Sequence, residues 1–147
     1  IGGGPLSEAA REQAASHPHI EFLGRLDRER IRHWMQQAHV LVAPCQEAGG
    51  AREAAGLVLL EAQACGTPVL AYRSGGIPEM VDDGVSGRLA PEADYPALQA
   101  GLAELLRLPG AEYGAMRVAA RRFAENSRSL AGSCAELDRH YAETAGG

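Results

Sequence analysis

The spacing of apolar residues changes from helical to extended and back several times along the chain, and those changes mark its elements. Pro5 to Ser16 reads as a helix, with proline suited to the first turn and alanines beyond it. Ile20-Glu21-Phe22-Leu23 reads as a short strand ended by Gly24. Asp27 is placed to cap a helix in which Ile31, Trp34, Met35 and Ala38 recur at i, i+3, i+4 and i+7, and Trp34 and Met35 are assigned to its core face. His39 to Ala43 is a continuous apolar run closed by Pro44, which predicts a strand buried on both faces. A polar, glycine-containing loop covers 45–55. Gly56 to Cys65 predicts a helix with almost no polar face, stopped by Gly66 and Pro68. Val69 to Tyr72 is the next strand, followed by a Gly75-Gly76 turn and a short helical segment at 77–81. Asp83-Gly84 marks a turn and Gly87 to Ala90 a last short strand. From Asp94 the pattern is helical over 96–108, 111–125 and 127–143, with breaks at Pro109-Gly110 and near Asn126-Ser127.

Short apolar strands alternating with helices predict an α/β fold, a Rossmann-like parallel sheet with helices on both faces. The expected division is a domain over 1–125 and a C-terminal helix over 126–147. In such sheets ligands bind at the carboxyl ends of the strands. That directs attention to the loops Gly2–Gly4, Gly24–Asp27 and Cys45–Gly56. Ile1-Gly2-Gly3-Gly4-Pro5 reads as the tail of a strand entering a glycine turn, so the chain is expected to be a piece of a longer protein.

Composition narrows the function classes. With 147 residues and 46% hydrophobic residues, the chain is long enough for one domain with a real core. The formal charge of −5 argues against nucleic acid as a partner, because phosphate-backbone binding needs a basic face. Three cysteines (Cys45, Cys65, Cys134) lack CxxC spacing, which fits reduced thiols in the cytoplasm better than a disulfide framework or a zinc site. No apolar run approaches the ~20 residues that span a bilayer, while peripheral membrane contact remains compatible with the sequence.

The chemistry gathers around Glu61. It stands on the apolar helix 56–65, which is expected to be buried, and a carboxylate is costly inside a protein unless it is paired. Glu61 therefore either sits at a crevice edge or caps a neighbouring loop, or it faces a ligand rich in hydroxyl donors. Glu53 lies eight positions earlier, and between the two the residues Ala55, Gly56 and Leu57 open the helix, whose first backbone N–H groups make a natural anion site. Two carboxylates would repel a bare phosphate. They suit a molecule with a diphosphate in its middle and a diol at each end, and a nucleotide sugar has that form.

The stretch Glu53-Ala54-Ala55-Gly56-Leu57-Val58-Leu59-Leu60-Glu61-Ala62-Gln63-Ala64-Cys65-Gly66-Thr67-Pro68-Val69-Leu70-Ala71 resembles the Glu-x7-Glu signature of glycosyltransferase family 4. The likeness continues through Gly75-Gly76-Ile77-Pro78-Glu79 and Asp83-Gly84-Val85-Ser86-Gly87, and upstream through Phe22-Leu23-Gly24 and Val40-Leu41-Val42-Ala43-Pro44. The resemblance implies a retaining enzyme of GT-B architecture, with two Rossmann-like domains and the active site between them. This chain is similar to the C-terminal, donor-binding domain without its first strand and helix. By that resemblance Glu53 is the catalytic-site residue that contacts the transferred sugar, and Glu61 holds the ribose diol. Ala55, Gly56, Leu57 and Val58 cradle the diphosphate through their backbone, and Arg25, Leu26 and Gly3, with Arg28 nearby, border the nucleobase. The implied partners are a nucleotide-sugar donor, a glycan or lipid-linked acceptor and the N-terminal GT-B domain of the same protein. No cofactor or metal is implied, and no Asp-x-Asp pair lies near the site.

The chain departs from the family pattern in places. Ala55 stands where a bulkier residue is usual, Cys45 replaces a serine, and the longer 46–52 loop resembles that of bacterial exopolysaccharide and lipopolysaccharide transferases. The family's basic pair belongs to a segment before Ile1, so the fragment alone is expected to be inactive. Arg52 and Arg73 are read either as substitutes for that pair or as solvated loop residues. The stripe Leu130, Leu137 and Tyr141 is expected to face the N-terminal domain. A non-catalytic nucleotide-sugar-binding module and a GT-B-fold sugar-nucleotide epimerase remain the alternatives.

Overall fold

The computed structural model describes residues 1–4, 7–45 and 56–127. The chain forms two compact units, one over Ile1–Trp34 and a second that begins at Met35.

In the first unit, helix α1 (Ser7–Ala15) follows a turn in which the Ser7 hydroxyl accepts from the Gly4 amide at 2.7 Å. Residues 20–23 are not a strand. A strand needs a ladder, and beyond the local bond from the Ile20 amide to the His17 carbonyl at 2.9 Å, the segment ending at Gly24 accepts from the Gly2 amide at 2.8 Å without joining a described sheet. Helix α2 (Arg28–Gln37) starts as expected, with the Asp27 carboxylate accepting from the Arg30 amide at 2.8 Å. Trp34 is not a core residue, being 39% exposed, whereas Met35 is buried.

The second unit is an α/β layer built on a parallel sheet in the order β1-β2-β3, from strands β1 (Leu41–Ala43), β2 (Val69–Tyr72) and β3 (Gly87–Ala90). Helices α3 (Leu57–Ala64), α4 (Tyr95–Arg107) and α5 (Gly110–Ser127) pack around it. All four residues of β2 are buried, the signature of a central strand covered on both faces. Leu70 and Tyr72 point to a cluster with Leu98 and Leu105 of α4, Met116 of α5 and Ala90. Val69 and Ala71 face the other way, by the two-residue period of a strand, and α3 covers β1 and β2 there. The first strand is less enclosed than its apolar run predicts. Only Leu41–Ala43 joins the ladder, at its border, and Val42 stays 39% exposed.

A 3₁₀ turn at Ile77–Glu79 connects β2 to the Asp82–Ser86 turn. The Asp83 carboxylate accepts from the Leu89 amide of β3 at 2.9 Å and from Arg73 at 2.6 Å. α4 begins on Asp94, whose carboxylate accepts from the Ala97 amide at 2.9 Å. Just before it, Ala93 takes φ +60°, a left-handed conformation unusual for a residue with a Cβ. α5 runs unbroken through Asn126, so the break expected there lies no earlier than Ser127.

Candidate functional site

The carboxyl ends of the three parallel strands open onto the turns at Pro44, Ser74–Gly76 and Pro91–Asp94. The last two turns are tied together, because the buried Ser74 hydroxyl donates to the Glu92 carboxylate at 2.6 Å. α3 runs back from this edge and starts on Gly56.

Gly56 is buried at φ +54°. An added Cβ would stand 3.2 Å from the Leu59 side chain and 3.5 Å from that of Ile77, so both the backbone angle and the close packing call for glycine. The amides of Leu57 and Val58 are among the first donors of α3, which an α-helix leaves without an intrahelical partner, and the macrodipole adds partial positive charge at the same point.

α3 is not buried all round. Leu57 (65% exposed), Val58 (39%), Glu61 and Ala64 form an open face, while Leu59, Ala62 and Gln63 are buried. The helix has a dry side and an open side although both are apolar, because only the first packs on the sheet and α5. Glu61 lies on the open face one turn after these amides. Among the described residues its carboxylate has no ion pair or hydrogen bond. Glu61 thus takes neither a buried nor a paired place; it stands open beside a positive helix start. α3 has no basic residue in its last turn, and its ability to attract anions resides in its backbone.

The structure brings together Gly56, Leu57, Val58 and Glu61 of the expected set. Glu53 and Ala55 lie outside the described residues, as do Arg52 and the stripe Leu130, Leu137 and Tyr141. In the first unit Gly3 and Arg25 are neighbours: a Cβ on Gly3 would stand 3.0 Å from the Arg25 side chain. Leu26, next to them, is half-buried. Arg73 forms an exposed ion pair with Asp83 at 2.6 Å. No group of three or more His, Cys, Asp or Glu among the described residues could hold a metal ion, and no described helix is long and apolar enough to cross a membrane.

One residue behind the site escaped the sequence reading. Gln63 is fully buried, and its amide nitrogen donates to the Leu59 carbonyl at 3.1 Å and the Met80 carbonyl at 2.7 Å. The signal available was a lone amide on an apolar helix, overshadowed by Glu61 two positions earlier.

The family described as "Glycosyl transferases group 1" matches residues 1–129. A GDP-mannose-dependent alpha-(1-6)-phosphatidylinositol monomannoside mannosyltransferase of Mycolicibacterium smegmatis is 36% identical over 129 residues, which cover 84% of this chain and 34% of that protein. Sucrose-phosphate synthase from Thermosynechococcus elongatus superposes with a TM-score of 0.73 at 25% identity, over 96% of this chain and 34% of that one. Anabaena HepE, solved in complex with UDP-glucose, has a TM-score of 0.72 at 22% identity, over 95% of this chain and 36% of that one, and shows the likeness of fold alone. The chain spans between 19% and 34% of the length of the first curated relatives it matches.

Proposed function

The chain belongs to the group 1 glycosyl transferases, and on that premise we propose that it is the donor-binding domain of a retaining enzyme of glycosyltransferase family 4. One observation supports this most: a helix start in which the first amides, those of Leu57 and Val58, follow a left-handed glycine, and an exposed carboxylate one turn along the same open face. An anion docks on the amides, and Glu61 accepts hydrogen bonds from the ribose diol of the same ligand. Glu53 acts on the hydroxyls of the transferred sugar, the backbone of Ala55, Gly56, Leu57 and Val58 holds the diphosphate, and Arg25, Leu26 and Gly3 border the base.

The full-length protein would move a hexose from a nucleoside diphosphate to a glycan or lipid-linked acceptor held by an N-terminal GT-B domain. As the bond between the anomeric carbon and the diphosphate breaks, negative charge grows on the departing oxygen. Preorganised N–H dipoles at α3 meet that charge without reorganisation. The scheme calls for no metal or organic cofactor. A lipid-linked acceptor would place the enzyme in the cytoplasm with peripheral contact at the inner membrane face, and the fragment alone would transfer nothing.

Calorimetry on the full-length protein tests the assignment, with GDP-mannose and UDP-glucose as donors. The Glu61→Ala variant is expected to weaken binding of nucleotide and donor alike, by about tenfold or more for a lost charge-assisted hydrogen bond. The Glu53→Ala variant is expected to bind free nucleotide normally yet use the sugar poorly. Wild-type affinity in both variants would show that the site is elsewhere. Donor binding without transfer by the full-length protein would favour a non-catalytic module.

A further inference from the structure

An orphaned atom beneath the site points to a residue whose role is not filling space. Gln63 is fully buried, and its side-chain oxygen is buried without accepting a hydrogen bond. An unsatisfied buried acceptor costs about 1–3 kcal/mol, and a methionine of similar volume would avoid that cost. What methionine could not do is donate to the Met80 carbonyl, the last one of the 3₁₀ turn at Ile77–Glu79. The same turn meets α3 a second time. Ile77, 1% exposed, lies where a Cβ on Gly56 would stand 3.5 Å away, and Leu59, fully buried, closes the contact from the helix side.

We infer that Gln63 is a positioning residue for the anion-binding start of α3, the hydrogen-bonded half of a brace in which the 77–80 turn supports α3 at Gly56 and again at Gln63. This rests on the proposed function and says how its diphosphate site is held. The brace joins α3 to the turn that leaves the carboxyl end of β2. The direction of the Leu57 and Val58 amides is thereby set against the sheet edge rather than by the loop before Gly56. Amides that bind charge must be aimed to within a few tenths of an ångström. A hydrogen bond of 2.7 Å from a buried amide supplies a direction that apolar contact does not.

The test uses the full-length protein with GDP and UDP as probes, and GMP and UMP beside them. Gln63→Met removes the donor at nearly constant volume. Ile77→Val thins the apolar half of the brace and is mild enough to fold. Leu105→Val, on the far side of β2, gives a control of comparable thermal destabilisation. Gln63→Met is expected to weaken nucleoside diphosphate binding about five- to tenfold at 25 °C, and Ile77→Val by less. Both should narrow the preference for diphosphate over monophosphate, which a general loss of stability would not move. Leu105→Val should leave that preference unchanged.

A folded Gln63→Met protein with wild-type preference overturns the inference, as does an equal narrowing in Leu105→Val. If Gln63→Met does not fold, Ile77→Val decides: a narrowed preference supports the brace and an unchanged one overturns it. A wild-type protein that binds none of the four probes overturns the proposed function, and this inference with it.

Discussion

Replacing Gly56 by alanine loads strain onto the turn that opens α3, and the structure supplies its own control. At φ +54° an L-residue costs about 1–2 kcal/mol. Alanine recovers about 0.4–1 kcal/mol by restricting the unfolded chain. The new Cβ, 3.2 Å from Leu59, also asks that side chain to give by a few tenths of an ångström. The net loss is about 1 kcal/mol, or a melting temperature lower by about 2–4 °C for a domain of this size. Gly66 carries the same burden at the other end of the helix. Its φ is +74°, and its Cβ would make only an ordinary contact, 3.7 Å from the Arg117 carbonyl. Gly56→Ala and Gly66→Ala should therefore melt within a few degrees of one another. Only the former should lose nucleotide-sugar affinity, by at least tenfold, because displaced amides no longer meet the diphosphate. Scanning calorimetry and a titration with GDP and UDP measure both quantities on the same samples. Equal affinities in the two variants would refute the assignment of the anion to the start of α3.

Two further outcomes concern the turns on either side of β3. Ala93→Gly relieves the left-handed residue before α4 and should raise stability by about 0.5–1 kcal/mol in thermal unfolding; a lower melting temperature would mean that Ala93 is not strained. Arg73→Ala breaks the exposed pair with Asp83, whose side chains are 52% and 37% exposed, and should cost no more than about 0.2–1 kcal/mol, less at high salt. It should leave donor affinity unchanged, and a large loss of affinity would restore Arg73 to the list of diphosphate partners.

The sequence made the second unit legible because punctuation agrees with pattern there. Gly66 and Pro68 stop α3, Asp94 caps α4, and Val69 to Tyr72 is apolar at every position, as a central strand must be. The carboxylate at Glu61 stood out for being the one charge on an apolar helix. What periodicity could not convey was which side of that helix meets solvent, since both sides read as apolar. The burial of Gln63 and exposure of Leu57 come from where the sheet, α5 and the 77–80 turn lie. Ile20–Leu23 has strand composition without a ladder, and ladders are long-range facts. The pairing of Arg73 with Asp83, ten residues apart, depends on the chain between them turning so that Asp83 bridges to Gly87 while Arg73 leaves the end of β2. Glu53 is the reverse case, a residue singled out by its spacing that lies outside the described structure.

A consequence for handling the protein lies in that same aspartate. The flank of β3 turned away from β2 is where another polypeptide would add itself, N–H by C=O, and begin a fibre. Asp83 occupies one of the hydrogen-bonding groups such an intruder would need, and its ion pair with Arg73 holds the plug in place. Asparagine at this position would keep the plug and lose the ion pair that anchors it, and alanine would remove both, so propensity to self-associate on storage should rise in that order.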